Sequence, residues 1–100
     1  MKSAYKYQTL RRVKKSLRLT HDKFDEDVLL PMIEAGMMEL KITGVDKTDD
    51  LTFKPLIERA IIHYCHINFP FGADHREIRR HERAFDSLRN TLAMVGDFNV

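Results

Sequence analysis

His63 and His66 flank Cys65, with His75 and His81 downstream, and imidazole and thiolate are the side chains that ligate zinc. A zinc site needs more than the types. Closed sites draw on paired Cys or His motifs or a helical H-E-x-x-H, whereas His63 and His66 stand three apart with no second ligand pair beside them. Partly buried helix histidines are the plainer reading. The run Asp46-Lys-Thr-Asp-Asp50 has a calcium-loop flavour, but Leu51 stands where loop position six needs glycine and Ile57 where position twelve needs glutamate. Helix capping accounts for it better. Asp25, Glu26 and Asp27 crowd carboxylates together beside a helix start, a place where solvated acids favourably meet the positive end of the helix dipole. There is no G-x-S-x-G, no catalytic cysteine motif, no Walker loop and no dinucleotide fingerprint. No catalytic residue, metal ligand or cofactor is expected, and the chain does not read as an enzyme.

Phosphate chemistry is better represented. Residues 1–21 hold seven cations and no acid, among them Arg11, Arg12, Lys14 and Lys15. Residues 22–58 hold ten acids against Lys23, Lys41, Lys47 and Lys54, and residues 59–100 hold six arginines against five acids. A net charge of +2 therefore conceals blocks of opposite sign. Such blocks can pair inside one chain or between copies. Arg76, Arg79, Arg80 and Arg83 crowd one late helix, where they face solvent, a partner or a nucleic-acid backbone. The acids Glu77, Glu82 and Asp86 interleaved with them make the N-terminal block the stronger phosphate candidate. No helix-turn-helix signature accompanies either set, which argues against sequence-specific reading.

The elements that carry these residues are helical. The chain has 100 residues, 43% hydrophobic and 32% charged, with 4 Gly and 3 Pro, which disfavours a loop-rich β-sandwich. An all-α fold is expected: a small four-helix domain with short connecting loops, made of a basic extension over 1–8, a helical core over 9–95 and a tail over 96–100. Thr9 is the expected N-cap of a first helix over about 10–18, buried through Leu10, Val13 and Leu17. A second helix over about 26–43 buries Leu29, Ile33, Met37 and Leu40, keeps Gly36 for a close neighbour and stops at Gly44. Pro31 costs that helix little if it starts near Asp27 and distorts it if it starts earlier. Asp46, Asp49 and Asp50 are placed to cap a third helix with Pro55 in its first turns. That helix is apolar over most of its surface: Ile57, Ala60, Ile61, Tyr64 and Ile67 form a stripe, and Ile62, Cys65 and Phe69 lie on its flanks before Pro70, Phe71 and Gly72 end it. One layer of neighbours cannot cover so much, so surplus surface there is expected to be shared with another copy. A fourth helix over about 74–95 lays down Ile78, Phe85, Leu88, Leu92 and Val95. No run approaches the ~18 apolar residues of a membrane span, and no apolar signal core follows the basic start. A cytosolic chain with no membrane contact is expected, and lone Cys65 is a reduced, buried thiol.

The order of these pieces is similar to a known family. The run from Leu10 to Leu19 (Leu-Arg-Arg-Val-Lys-Lys-Ser-Leu-Arg-Leu), the acidic turn with Asp25 and Asp27, and the helix from Leu29 to Ala35 resemble the opening of tailed-phage head-tail connector proteins, also called head completion, adaptor or DNA-packaging proteins. Pro55 to Tyr64 (Pro-Leu-Ile-Glu-Arg-Ala-Ile-Ile-His-Tyr) resembles that family's third helix, and the resemblance spans about residues 9–72. The family more often has Trp-Tyr near the end of this helix and alanine where Gly36 stands. The resemblance implies a subunit that joins a ring on the portal of a capsid, meets a tail or stopper protein, and surrounds passing DNA without reading its sequence. It implies a place in the virion, reached from the host bacterial cytoplasm, and brings no catalytic residue. In such a ring Arg11, Arg12, Lys14, Lys15, Arg76, Arg79, Arg80 and Arg83 would face portal, neighbour or DNA, and Asp25, Glu26 and Asp27 would face a neighbour's basic block. A small helical DNA-binding regulator is the alternative, and a metal-dependent hydrolase or nuclease a more remote one.

Overall fold

The computed structural model describes residues 3–45, 54–69 and 74–98, which form four α-helices and no strand. They run in order as α1 (Ser3–Ser16), a π-helical turn (Asp25–Leu29) continuing into α2 (Leu30–Ile42), α3 (Lys54–Asn68) and α4 (His75–Phe98). The expected all-α four-helix domain is what the chain adopts. Caps from Asp46, Asp49 and Asp50, the stop at Pro70, Phe71 and Gly72, and the side chain of Val95 lie outside the described residues.

α1 begins at Ser3, well before Thr9, so most of the segment expected as an extension is helix. Thr9 is no cap. It lies inside α1, fully buried, in a stripe with Tyr5, Leu10, Val13 and Leu17 that faces the core. Its Oγ1 has no hydrogen-bond partner among the described residues. α1 ends in a reversal in which Leu19 N–H donates to Lys14 O at 2.9 Å and Arg18 N–H to Lys15 O at 3.2 Å. That reversal needs a left-handed residue, and Arg18 supplies it with φ 59°. α2 closes with the same pair of bonds, Val45 N–H to Leu40 O at 2.9 Å and Gly44 N–H to Lys41 O at 3.2 Å, with Gly44 at φ 104°. Here glycine takes the strained position, as expected, and Val45 folds back into the core.

Pro31 explains the turn before α2. The helical segment starts at Asp25, which is the earlier of the two starts the sequence allows. Proline offers no N–H, and its ring would press on the carbonyl four residues back, at Asp27. The chain widens instead: Leu29 N–H reaches Phe24 O at 2.8 Å and Leu30 N–H reaches Asp25 O, both five residues back.

α3 is the centre. Ile57, Ala60, Ile61 and Cys65 are fully enclosed, and α1, α2 and α4 all pack on α3. Each large aliphatic side chain so enclosed, such as Ile33, Leu40, Ile57 or Ile61, contributes about 1.5–3 kcal/mol of hydrophobic stabilisation. Most of the surplus apolar surface expected on this helix is covered within the chain. Ile62, Tyr64, Ile67 and Phe69 are half-buried against the core, Phe69 edge-on to Phe24 at 5.8 Å and Tyr64 beside Phe85 at 5.6 Å. Among the described residues the exposed large apolar ones are Tyr7, Met38, Ile42 and Met94, on the other three helices. α2 reaches α3 at Gly36, where a Cβ would stand 2.9 Å from Tyr64 Cδ1 and 3.0 Å from Ile61 Cδ1. Tyr5 ties the start of α3 to α1, its hydroxyl donating to Lys54 O at 3.3 Å under the Lys54 ammonium.

Two substitutions test this packing. Gly36→Ala gains about 1 kcal/mol of helix propensity but drives a methyl into the Tyr64 ring, an overpacking cost of about 1–3 kcal/mol. The expected result is a net loss near 1 kcal/mol, read as a Tm lower by about 4–8 °C. Thr9→Val removes a buried hydroxyl with no partner and should raise stability by about 1–2 kcal/mol in denaturant unfolding.

Candidate interaction surfaces

The basic residues of α1 divide into those used inside the chain and those left over. Lys6 Nζ donates to Glu34 Oε1 at 2.7 Å, and Arg12 Nε lies 3.2 Å from Glu58 Oε2. Lys14 Nζ binds Asp22 and reaches Asp25 Oδ2 at 3.1 Å. Hydrogen bonding to Glu34 and to Asp22 raises the pKa of Lys6 and Lys14, and the Lys14 ammonium lowers that of Asp22. Lys6–Glu34 and Lys14–Asp22 are exposed pairs, of the kind that hold orientation more than stability, and Lys14–Asp25 is half-buried. Arg12 is different in its partner: Glu58 is 3% exposed, so the guanidinium covers an otherwise isolated buried carboxylate. The opposite-sign blocks thus pair, in part, within one chain.

Arg11, Lys15 and Arg18 remain exposed. With Lys14, Leu19 and Thr20 they rim an open depression of about 430 Å³ at the C-terminal end of α1. Of the acids expected to face a neighbour, Asp25 is half-buried and committed to Lys14, whereas Glu26 and Asp27 are exposed.

α4 carries the second cationic surface. Asp74 caps it, its Oδ1 accepting from Glu77 N–H at 2.9 Å. Arg76, Arg79, Arg80 and Arg83 follow at steps of three, one and three, all exposed, and no carboxylate among the described residues lies within ion-pair distance of any of them. Further along, Arg89 pairs with Asp86 at 3.1 Å, as the spacing of three anticipates.

His66 brings the two cationic helices together. It shares a hydrogen bond with Ser16 Oγ of α1 at 2.7 Å and stacks on His81 of α4, centroids 4.2 Å apart. His63 Nδ1 lies 2.8 Å from His81 Nδ1. One of these nitrogens donates and the other accepts, so the contact admits one proton and not two. Burial lowers the pKa of His63, His66 and His81, and neighbouring cationic groups, His81 for the first two and Arg80 for the third, lower them further; Glu77 opposes this at His66 and His81. No group of three His, Cys, Asp or Glu among the described residues is arranged to hold a metal ion. Cys65 points into the core, and burial pushes its thiol up to about 12, which leaves it without nucleophilic character near neutrality. The calcium-like run at Asp46 to Asp50 lies outside the described residues. The sequence missed this junction because Ser16, His66 and His81 are joined only by the tertiary fold.

Fold and surfaces define a small all-α domain with an apolar centre and two cationic outer faces, and no helix among the described residues is long and apolar enough to cross a membrane. The sequence model of the family described as phage connector protein matches residues 9–98, and the chain belongs to that family. It is a structural protein of the phage head-tail connector type. No curated protein and no solved structure matches the chain.

The histidine junction has a pH signature. Folded-state values below the ordinary 6.5 mean that the unfolded chain takes up protons first as the pH falls. Stability is therefore full above 6.5 and declines as the pH drops from there through the folded values. The imidazole NMR resonances of all three residues should titrate below 6.5, and His81→Gln should flatten the acid limb of the stability curve. Titration at or above 6.5 would contradict the burial described.

Proposed function

We propose that this chain is the subunit of a ring that sits on the portal of a tailed-phage capsid and bridges it to a tail or stopper protein, with DNA passing through the centre. Its role is structural, with no catalytic step. Family membership supports the connector role, and the row of Arg76, Arg79, Arg80 and Arg83 carries the finer reading, because four exposed guanidiniums without an internal partner are available to portal carboxylates or DNA phosphates. Arg11 and Lys15 extend the cationic surface across the His66 junction. Arg12 and Lys14 have a smaller share in it, since each already answers a carboxylate of its own chain. Glu26 and Asp27 are available to a neighbour, and Asp25 acts on its own Lys14. Assembly would take place in the host cytoplasm and end in the virion. Contact with the passing duplex would be to its backbone alone, without sequence preference.

Charge reversal tests the reading. Arg79→Glu with Arg80→Glu lies on an exposed face and should leave helical content and Tm near wild type. It should abolish docking to purified portal, or the retention of packaged DNA. Docking and retention equal to wild type would sink the assignment. Tight, salt-dependent duplex binding by the wild-type chain with no portal binding would favour a DNA-binding regulator instead.

A further inference from the structure

On the side of α3 away from α1 lies a groove that no motif announced. Glu39 of α2, Tyr64 of α3 and Glu82, Phe85 and Asp86 of α4 line it, with Arg89 at one end. Its volume of about 270 Å³ is below the ~300–1,000 Å³ of most small-molecule sites, and suits a single long side chain. The floor is aromatic, Tyr64 and Phe85 with centroids 5.6 Å apart, and the rim is acidic. Within the chain Arg89 already displays how such a site holds a cation, with its guanidinium 5.8 Å from the Phe85 centroid and 3.1 Å from Asp86. Glu39 and Glu82 have no cation within ion-pair distance among the described residues.

We propose that this groove receives a cationic side chain, Arg11 or Lys15, from α1 of a second copy of the chain. The proposal rests on the ring reading and names the contact that would propagate the ring. Charge complementarity selects the occupant: Arg11, Lys15 and Arg18 form an exposed stripe without internal partners, on a face as basic as the groove is acidic. Position rules out a contact within one subunit. α1 lies along the Glu58 and His66 side of α3, fixed by Arg12 at 3.2 Å and Ser16 at 2.7 Å. Tyr64 of the groove stands about 120° from Glu58 and about 160° from His66 around the helix at 3.6 residues per turn. A donor and an acceptor patch on opposite sides of one subunit join copies head to tail, the geometry that closes into a ring or extends as a filament.

Two full-length variants isolate one such contact. Arg11→Gln with Lys15→Gln keeps the groove and loses the donor, and Glu39→Lys with Glu82→Lys keeps the donor and loses the groove. With the first isotopically labelled and the second titrated in unlabelled, saturable NMR shifts are expected at Glu39, Tyr64, Glu82 and Phe85. Binding should stop at one-to-one, since neither variant can extend the chain. Adding Glu82→Lys to the labelled chain should weaken it at least about tenfold, as removal of a charge partner does. Circular dichroism verifies that each variant is folded. Absence of shifts up to millimolar concentration overturns the groove, as do shifts confined to Glu26 and Asp27. Either result leaves the portal-docking test to decide the ring reading separately.

Discussion

α3 carries apolar side chains around most of its circumference, and a chain of this size can keep them from water only by placing a helix on each side of it. That constraint organises the molecule. The domain is a slab, 42 × 32 × 19 Å, about two helix diameters thick, with α3 held by α1, α2 and α4. Gly36 allows α2 to approach until its backbone rests on Tyr64 and Ile61. Cys65, Ile57 and Ala60 are then sealed, and α3 shows other molecules no more of its apolar surface than half-buried side chains such as Tyr64 and Ile67. Assembly would draw chiefly on the outer helices, whose outer faces carry the charges left unpaired in the monomer.

Charge inside the monomer decides which of those faces are free. Lys6, Arg12 and Lys14 answer Glu34, Glu58 and the pair Asp22 and Asp25, which orients α1 against the rest of the domain. What remains is directional: the stripe of Arg11, Lys15 and Arg18 on one side, the arginine row of α4 near it across His66, and the acidic groove on the far side. A subunit with distinct faces on opposite sides is suited to repetition around an axis, where each copy presents different surfaces to its two neighbours.

Much of this was legible in the chain, and the failures have physical causes. Leu29, Ile33, Met37 and Leu40 were readable as a buried stripe because helical period and burial coincide there. Gly36 and Gly44 were readable because a close approach and a left-handed turn both favour glycine. Thr9 misled: a threonine before a basic helical run looks like a cap, but the helix had begun at Ser3 and the hydroxyl was buried without a partner. Arg18 at φ 59° was invisible, since nothing in an arginine marks a left-handed turn. The surplus apolar surface on α3 was misjudged because coverage by three helices, including contacts such as Phe24 on Phe69, depends on tertiary packing. Internal pairing of Lys6, Arg12 and Lys14, the His66 junction and the acidic groove all join residues remote in sequence, which block charges and spacing do not reveal.

The most direct test of this arrangement is amide hydrogen exchange on the full chain, alone and after assembly with portal. If α3 is the internal scaffold and charged outer helices do the joining, Ile57 to Cys65 should exchange only through global unfolding in the isolated subunit. Assembly should slow those amides only by the common factor that binding adds to global stability, and should add local protection along α1 and α4. Rapid exchange of α3 in the free subunit, with protection gained only on assembly, would contradict the account.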